Sequence, residues 1–260
     1  MRNTRTRFPL LAAAACILLG LGSALPSHAQ AFDVFAGYDL FQTAPGTSFL
    51  GTPLIGVPLG HYNFGGVIGN QNVGLTDTIV HRLNNAGPSV LGGTVATPLQ
   101  MNALSMVTAV PTTFGGALPL NTYYVFLDPT TPSVGSMAIT YGSATSGTFV
   151  SSLNVNFDIG TAPNDPSSSV FSSSVVLNSS GPVAWSDISP PGAVLIPGVN
   201  LNLNGSTINN DFWPVPFSED SSGAAHHIVT TALATPEPGS VALLTASGVF
   251  GISLLRRRAR

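Results

Sequence analysis

Lysine is absent from all 260 residues, and charge of either sign is scarce, at 7% of the chain against roughly 25% in an average globular protein. The eight basic residues are all arginine, and their placement is uneven. Arg2, Arg5 and Arg7 open the chain, Arg256, Arg257, Arg258 and Arg260 close it, and only Arg82 lies between. From Gln30 to Thr235 ten acids face that one arginine, so this body carries a formal charge of −9 inside a chain whose net charge is −3. With no counter-charge for phosphate, the body is excluded as a nucleic-acid binder. Cysteine occurs once, as Cys16, so the body has neither a disulfide nor a thiolate metal site. Long stretches of Ala, Leu, Glu and Lys at helical period are missing as well.

Gly, Pro, Ser, Thr, Asn and Val dominate what is there. Several segments alternate with period two, the pattern of a half-buried strand. In SSLNVNFDIG, Leu153, Val155, Phe157 and Ile159 share one face, and Ser152, Asn154, Asn156 and Asp158 the other. GVNLNLNGS repeats this with Val199, Leu201 and Leu203 against Asn200, Asn202 and Asn204. PLQMNALSM changes phase between Met101 and Leu104, which implies a bulge near Ala103 or burial of both faces. FDVFAG, HYNFGGVIG, DTIVHRL, TYYVFL, GSMAITY, SVFSSSVVL, PVAWSDI and HHIVTTA are further strand candidates, separated by Pro and Gly clusters. About eleven short strands predict an all-β body, an antiparallel sandwich or jelly-roll, in preference to an outer-membrane barrel. TAPNDPSSS (Thr161–Ser169) and SEDSSGAA (Ser218–Ala225) are the candidate internal boundaries or long loops.

The two ends have a different character. Residues 1–29 read as a signal peptide with an N-terminal signal helix: a basic start, an apolar run from about Leu10 to Leu25, then Ser27-His28-Ala29 ahead of cleavage between Ala29 and Gln30. Cleavage after Ala31 is the alternative. Lipidation of Cys16 fits less well, because apolar sequence continues through Ile17-Leu18-Leu19. At the other end, Gly239 to Leu255 is a run of seventeen uncharged residues. As a helix it spans about 25 Å at about 1.5 Å per residue, enough for one transmembrane segment with snorkelling arginines. The arginines stay cytoplasmic and the body lies outside.

Pro236-Glu237-Pro238, a short apolar helix and a terminal cluster of Arg256, Arg257, Arg258 and Arg260 resemble the PEP-CTERM sorting signal of Gram-negative bacteria. The resemblance covers Thr235 to Arg260 only. It implies that a membrane-embedded cysteine protease, an exosortase, cuts near Pro-Glu-Pro and sends the protein outward, towards the cell surface or an exopolysaccharide matrix. The expected organisation is a signal peptide over 1–29, a secreted β-rich body over 30–235, and a sorting signal with its helix over 236–260. Expected partners are signal peptidase, the exosortase, the membrane before processing, and exopolysaccharide.

In the body, His226-His227 raises a metal hypothesis, with Glu219 and Asp220 nearby in sequence. Adjacent side chains on a strand point to opposite faces, so the pair cannot easily share an ion. Two partly exposed histidines entering the last strand is the simpler account. Asp158, Asp165, Asp211, Glu219 and Asp220 offer oxygens to calcium, but no D-x-D-x-D-G loop organises them, and solvated loop acids are the simpler account. H-E-x-x-H and G-x-S-x-G are both absent. Trp185, Trp213, Tyr62, Tyr123 and Tyr124 could stack on sugar rings, although aromatics in a sandwich more often fill the core. On DTIVHRL, Asp77 and Arg82 point to opposite faces, so a carboxylate paired with Arg82 must come from a neighbouring element. The expectation is a noncatalytic exported surface or matrix protein without a cofactor. A glycan-binding module or a secreted glycan hydrolase is the alternative. A hydrolase needs an open cleft with facing carboxylates or a serine–histidine pair, and a binding module needs exposed aromatics.

Overall fold

The computed structural model describes residues 32–235, apart from 115, 202–210 and 223. Both sequence-predicted terminal helices, the cleavage site Ala29–Gln30, the sorting motif Pro236-Glu237-Pro238 and the arginine tail lie outside the described residues. The described chain is all-β and antiparallel. Its strands are β1 (Phe32–Val34), β2 (Gly37–Thr43), β3 (Ser48–Phe49), β4 (Thr52–Gly56), β5 (Gly60–Asn63), β6 (Asn70–Gly74), β7 (Thr78–Arg82), β8 (Ala86–Ser89) and β9 (Thr94–Thr108), followed by β10 (Tyr124–Leu127), β11 (Ser133–Tyr141), β12 (Ser146–Gly160), β13 (Ser169–Ser179), β14 (Val183–Ser186), β15 (Trp213–Pro214), β16 (Phe217–Asp220) and β17 (Ala225–Thr231).

The pairings form a closed circuit. It runs β9–β11–β12–β13–β16–β17–β2–β7 and returns to β9. Closure removes the free edges that an open sheet would expose. The two 15-residue strands, β9 and β12, hold both β11 and β10 between them. β3 and β4 bridge β17 to the far end of β9. Inside the ring lies the main core, with Phe41, Val80, Leu99, Met101, Met137, Phe149, Leu153, Phe157 and Val229 among its members. On β12 the predicted faces hold: Leu153, Val155, Phe157 and Ile159 are buried.

A second, smaller core sits outside the ring. Leu40, Ile79 and Ala103 stand abreast on β2, β7 and β9 and face outward. They are covered by Val73, Val194, Ile196 and Val199, with Tyr62, Phe64 and Ile68 of the β5–β6 hairpin packed against them. The phase change in β9 has the predicted cause. Ile79 pairs with Ala103 and Val80 with Met101, so Asn102 is the extra residue of a bulge.

Two expectations are corrected, and a third is narrowed. Val199 and Asn200 are not on an alternating strand: Asn200 is buried in a turn, where its amide donates to Val194 O and accepts from Ile196 N. An Asn in a turn satisfies backbone groups that a strand would have paired. Ser218–Ala225 is no boundary, because β16 and β17 form a hairpin there. Thr161–Ser169 is a loop, one of its two expected forms, and not a boundary: it joins β12 to its direct neighbour β13 through a 3-10 turn at Pro166–Ser168.

Candidate functional site

Three places gather polar side chains: a seam inside the ring, the β16–β17 hairpin, and a groove beside the β9 bulge. The seam begins at Arg82, which is 3% exposed and pairs with Asp39 on the adjacent strand β2. Its Nε donates to Phe35 O at 3.3 Å, and its guanidinium lies 4.9 Å from the Phe212 ring centre. A neighbouring strand therefore supplies the carboxylate, as strand alternation required. Burial pushes the Asp39 carboxyl up, and the Arg82 charge pulls against it.

Further along the seam, Asp77 accepts from Thr43 N at 2.8 Å, from Thr43 Oγ1 at 2.8 Å and from Thr78 Oγ1 at 2.9 Å. Burial raises its pKa, and these hydrogen bonds oppose the rise. Space for this carboxylate comes from Gly56, where an added Cβ would fall 1.7 Å from Asp77 Oδ2. Thr43 Oγ1 also lies 3.5 Å from His227 Nε2, and His227 Nδ1 lies 3.7 Å from Glu219 Oε2. Ser151 Oγ donates to Glu219 Oε1 at 3.3 Å.

Hydroxyl, imidazole and carboxylate thus follow one another as they do in a nucleophilic triad. The chemistry does not follow. The Thr43 proton is donated to Asp77, and 3.7 Å exceeds a hydrogen bond. The space beside His227 is an apolar cavity of about 40 Å³ walled by Phe49, Leu54, Met106 and Phe157, too small to admit a substrate. Asp39 and Glu219 do face a common cavity with Thr78 and Ser151. It holds about 20 Å³ inside the ring, room for roughly one water.

On the hairpin, Glu219 pairs with His227 and Asp220 with His226 in register. The inner pair belongs to the seam and the outer pair, His226 with Asp220, is half-exposed. The two histidines point to opposite faces, as predicted. His227, however, is buried rather than partly exposed, because β17 is a ring strand and not a frayed terminal one.

The sequence-predicted calcium acids are scattered. Asp165 caps the 3-10 turn by accepting from Ser167 N, and Asp158 accepts from Ser172 Oγ. Asp158, Asp211 and Glu219 are buried instead of solvated in loops. Among the described residues no three His, Cys, Asp or Glu side chains gather into a group that could hold a metal ion. Of the sugar-stacking candidates, Trp185, Trp213 and Tyr123 belong to the interior, while Tyr62 and Tyr124 are half-buried.

The groove has a volume of about 340 Å³. Tyr62 from β5, Gln100 and Asn102 from β9, and Asp128 and Thr131 from the β10–β11 loop line it. Tyr62 donates to Asn102 O at 3.3 Å, which ties the covering hairpin to the bulge. Asn102 Oδ1 is shut from solvent and has no hydrogen-bond partner. Asp128 is partly exposed, and its carboxyl is held below the ordinary value by hydrogen bonds from Thr130. Sequence reasoning found Tyr62 and located the bulge, but Gln100, Asn102 and Asp128 carried no motif. No protein-family model matches the chain, and no curated protein or solved structure matches it significantly.

Proposed function

We propose that the chain is an exported, noncatalytic surface or extracellular-matrix protein of a Gram-negative bacterium, a sandwich-like or jelly-roll-like β body delivered by exosortase sorting. The observation that carries this reading is the order Pro236-Glu237-Pro238, the uncharged run Gly239–Leu255, then Arg256, Arg257, Arg258 and Arg260, in a chain that opens like a signal peptide. Two features of the body support it. Its last described residues are tied down: Leu75 N donates to Leu233 O at 2.9 Å, and Ala234 N to Gly192 O at 2.9 Å. A cut at the motif therefore leaves every described strand inside the released body. The hydroxyl–imidazole–carboxylate seam, the best candidate for reaction chemistry, is enclosed and committed to its own hydrogen bonds.

The test separates motif from anchor. Replacing Pro236-Glu237-Pro238 with alanines leaves the helix and its arginines, so the protein stays membrane-bound but is not trimmed. Neutralising the four terminal arginines removes the cytoplasmic stop, since each Arg costs roughly 2.5–3.5 kcal/mol at the bilayer centre on insertion scales. The body is then lost to the periplasm or misprocessed. Intact mass and cell fractionation in a host with an exosortase read both outcomes. Trimming of the Pro-Glu-Pro variant like the parent refutes the reading and leaves an ordinary tail anchor. A glycan-binding module is the second reading, favoured by the groove beside Asn102.

A further inference from the structure

We propose that the groove at the β9 bulge is a binding subsite for a neutral saccharide. The inference stands apart from how the chain is exported. Three observations carry it. First, the groove's volume of about 340 Å³ is near the lower end of the roughly 300–1,000 Å³ typical of small-ligand sites. Second, its lining combines a tyrosine with two side-chain amides, a hydroxyl and one carboxylate: Tyr62, Gln100, Asn102, Thr131 and Asp128. Such groups both donate to and accept from vicinal hydroxyls. Among the described residues the lining holds no cation, so an anionic ligand would meet only the Asp128 charge. Third, Asn102 Oδ1 is an acceptor left without a donor. Carrying an unpaired buried polar atom is costly, and turning the amide towards the groove would present it to a ligand hydroxyl.

The groove continues into a surface suited to an extended chain. Gln100 stands in register with His81 on one side and Val134 on the other. His81 stands beside Tyr38, and Val134 beside Asn154, which in turn faces Val176. This outward row crosses six strands, roughly 24 Å at about 4.8 Å per strand. Tyr38 and His81 stack at 4.0 Å, with Phe64 edge-on to Tyr38 and to Tyr62 at 4.9 Å each. Amides alternate with apolar side chains along the rest of the row, and the row carries no carboxylate.

The experiment uses the full-length protein in a detergent without a sugar headgroup. It is titrated with cellohexaose, maltohexaose and laminarihexaose, with hexagalacturonate as the anionic control, by calorimetry and by NMR of the side-chain amides. At least one neutral hexasaccharide should bind saturably and shift the Gln100 and Asn102 amide signals. Gln100→Ala and Asn102→Ala should each weaken binding by about tenfold or more. Asn102→Ala should do so without lowering the unfolding midpoint, because it removes an unsatisfied acceptor; a merely structural asparagine would show the opposite. The proposal is overturned if no neutral hexasaccharide binds up to about 10 mM, if hexagalacturonate binds more tightly than all three, or if both variants bind like the parent.

Discussion

Arg82→Met should cost the body about 3–5 kcal/mol at neutral pH, the usual penalty for removing one partner of a buried ion pair. Arg82 and Asp39 are 3% and 4% exposed, so water cannot replace the lost partner. The change also removes the hydrogen bond to Phe35 O and the charge over the Phe212 ring. Asp39 Oδ2 already has no hydrogen-bond partner, so the carboxylate would be left almost unsatisfied. For a protein of 150–250 residues, roughly 2–4 °C per kcal/mol converts this to a midpoint lowered by about 6–20 °C.

The pH dependence gives a sharper test than the size. Burial already raises the Asp39 pKa and Arg82 opposes the rise; without Arg82 only burial acts, and the folded-state value climbs further. A carboxyl whose folded pKa exceeds its unfolded value of 3.8 contributes stability that is present below that value and is lost as pH rises through the folded pKa. The deficit of Arg82→Met should therefore be small near pH 4 and full at pH 7. Arg82→Met with Asp39→Val should recover most of it, since apolar replacements of buried pairs are often neutral or better. Urea unfolding of the three variants between pH 4 and 8 is the assay. A loss below about 1 kcal/mol at pH 7, or one independent of pH, refutes the argument that an enclosed pair organises this seam.

His81, half-buried against Tyr38, has its pKa lowered by burial and by the Arg82 charge. Stability linked to it is present above its unfolded value of 6.5 and is lost as pH falls through the lower folded value. His81→Gln should flatten the fall in urea midpoint between pH 7 and 5, and an unchanged slope would contradict this. Asp77→Ala should cost about 3 kcal/mol or more, because three donors lose their acceptor at roughly 1–3 kcal/mol each when buried. Asp77→Asn should cost less. Equal midpoints for the two variants would show that the carboxylate geometry is unimportant.

Strand content was legible where one face meets the core and the other meets solvent. β12 reads directly from SSLNVNFDIG, and the β9 bulge shows as a change of phase. Other strands were hidden for physical reasons. β2 (GYDLFQT) has an outward face buried under the β5–β6 hairpin and an inward face carrying Asp39 and Thr43, so its polarity pattern is blurred. β16 (FSED) reads as loop because its acids are paired across the hairpin with histidines. Ring closure depends on pairings between distant strands, such as β7 with β9 and β17 with β2, and no local pattern encodes those. The candidate site was less legible still. Gln100, Asn102 and Asp128 come from two separate stretches, and only the fold makes a groove of them.

Burial changes what the charge count means. Ten acids and one arginine predict an intensely anionic body. Yet Asp39, Asp77, Asp158, Asp187, Asp211 and Glu219 are all buried, together with Arg82. Only Asp33, Asp128, Asp165 and Asp220 remain at least partly at the surface. Isolated carboxylates farther apart than about 8 Å are largely screened from one another at physiological ionic strength. The exterior therefore acts through hydroxyls and amides more than through a field. On β13 the outward row is Val170, Ser172, Ser174, Val176 and Asn178, and on β12 it includes Asn154. Such a surface gains little from electrostatic steering. Its contacts must come from hydrogen bonds and shape, which are short-ranged and nearly insensitive to salt. If a neutral polymer is the partner, its association with the body should persist at about 1 M salt, where the Debye length is only about 3 Å. Loss of that association on raising the salt would place the recognition on the four surface acids instead, and the neutral row would have no role in it.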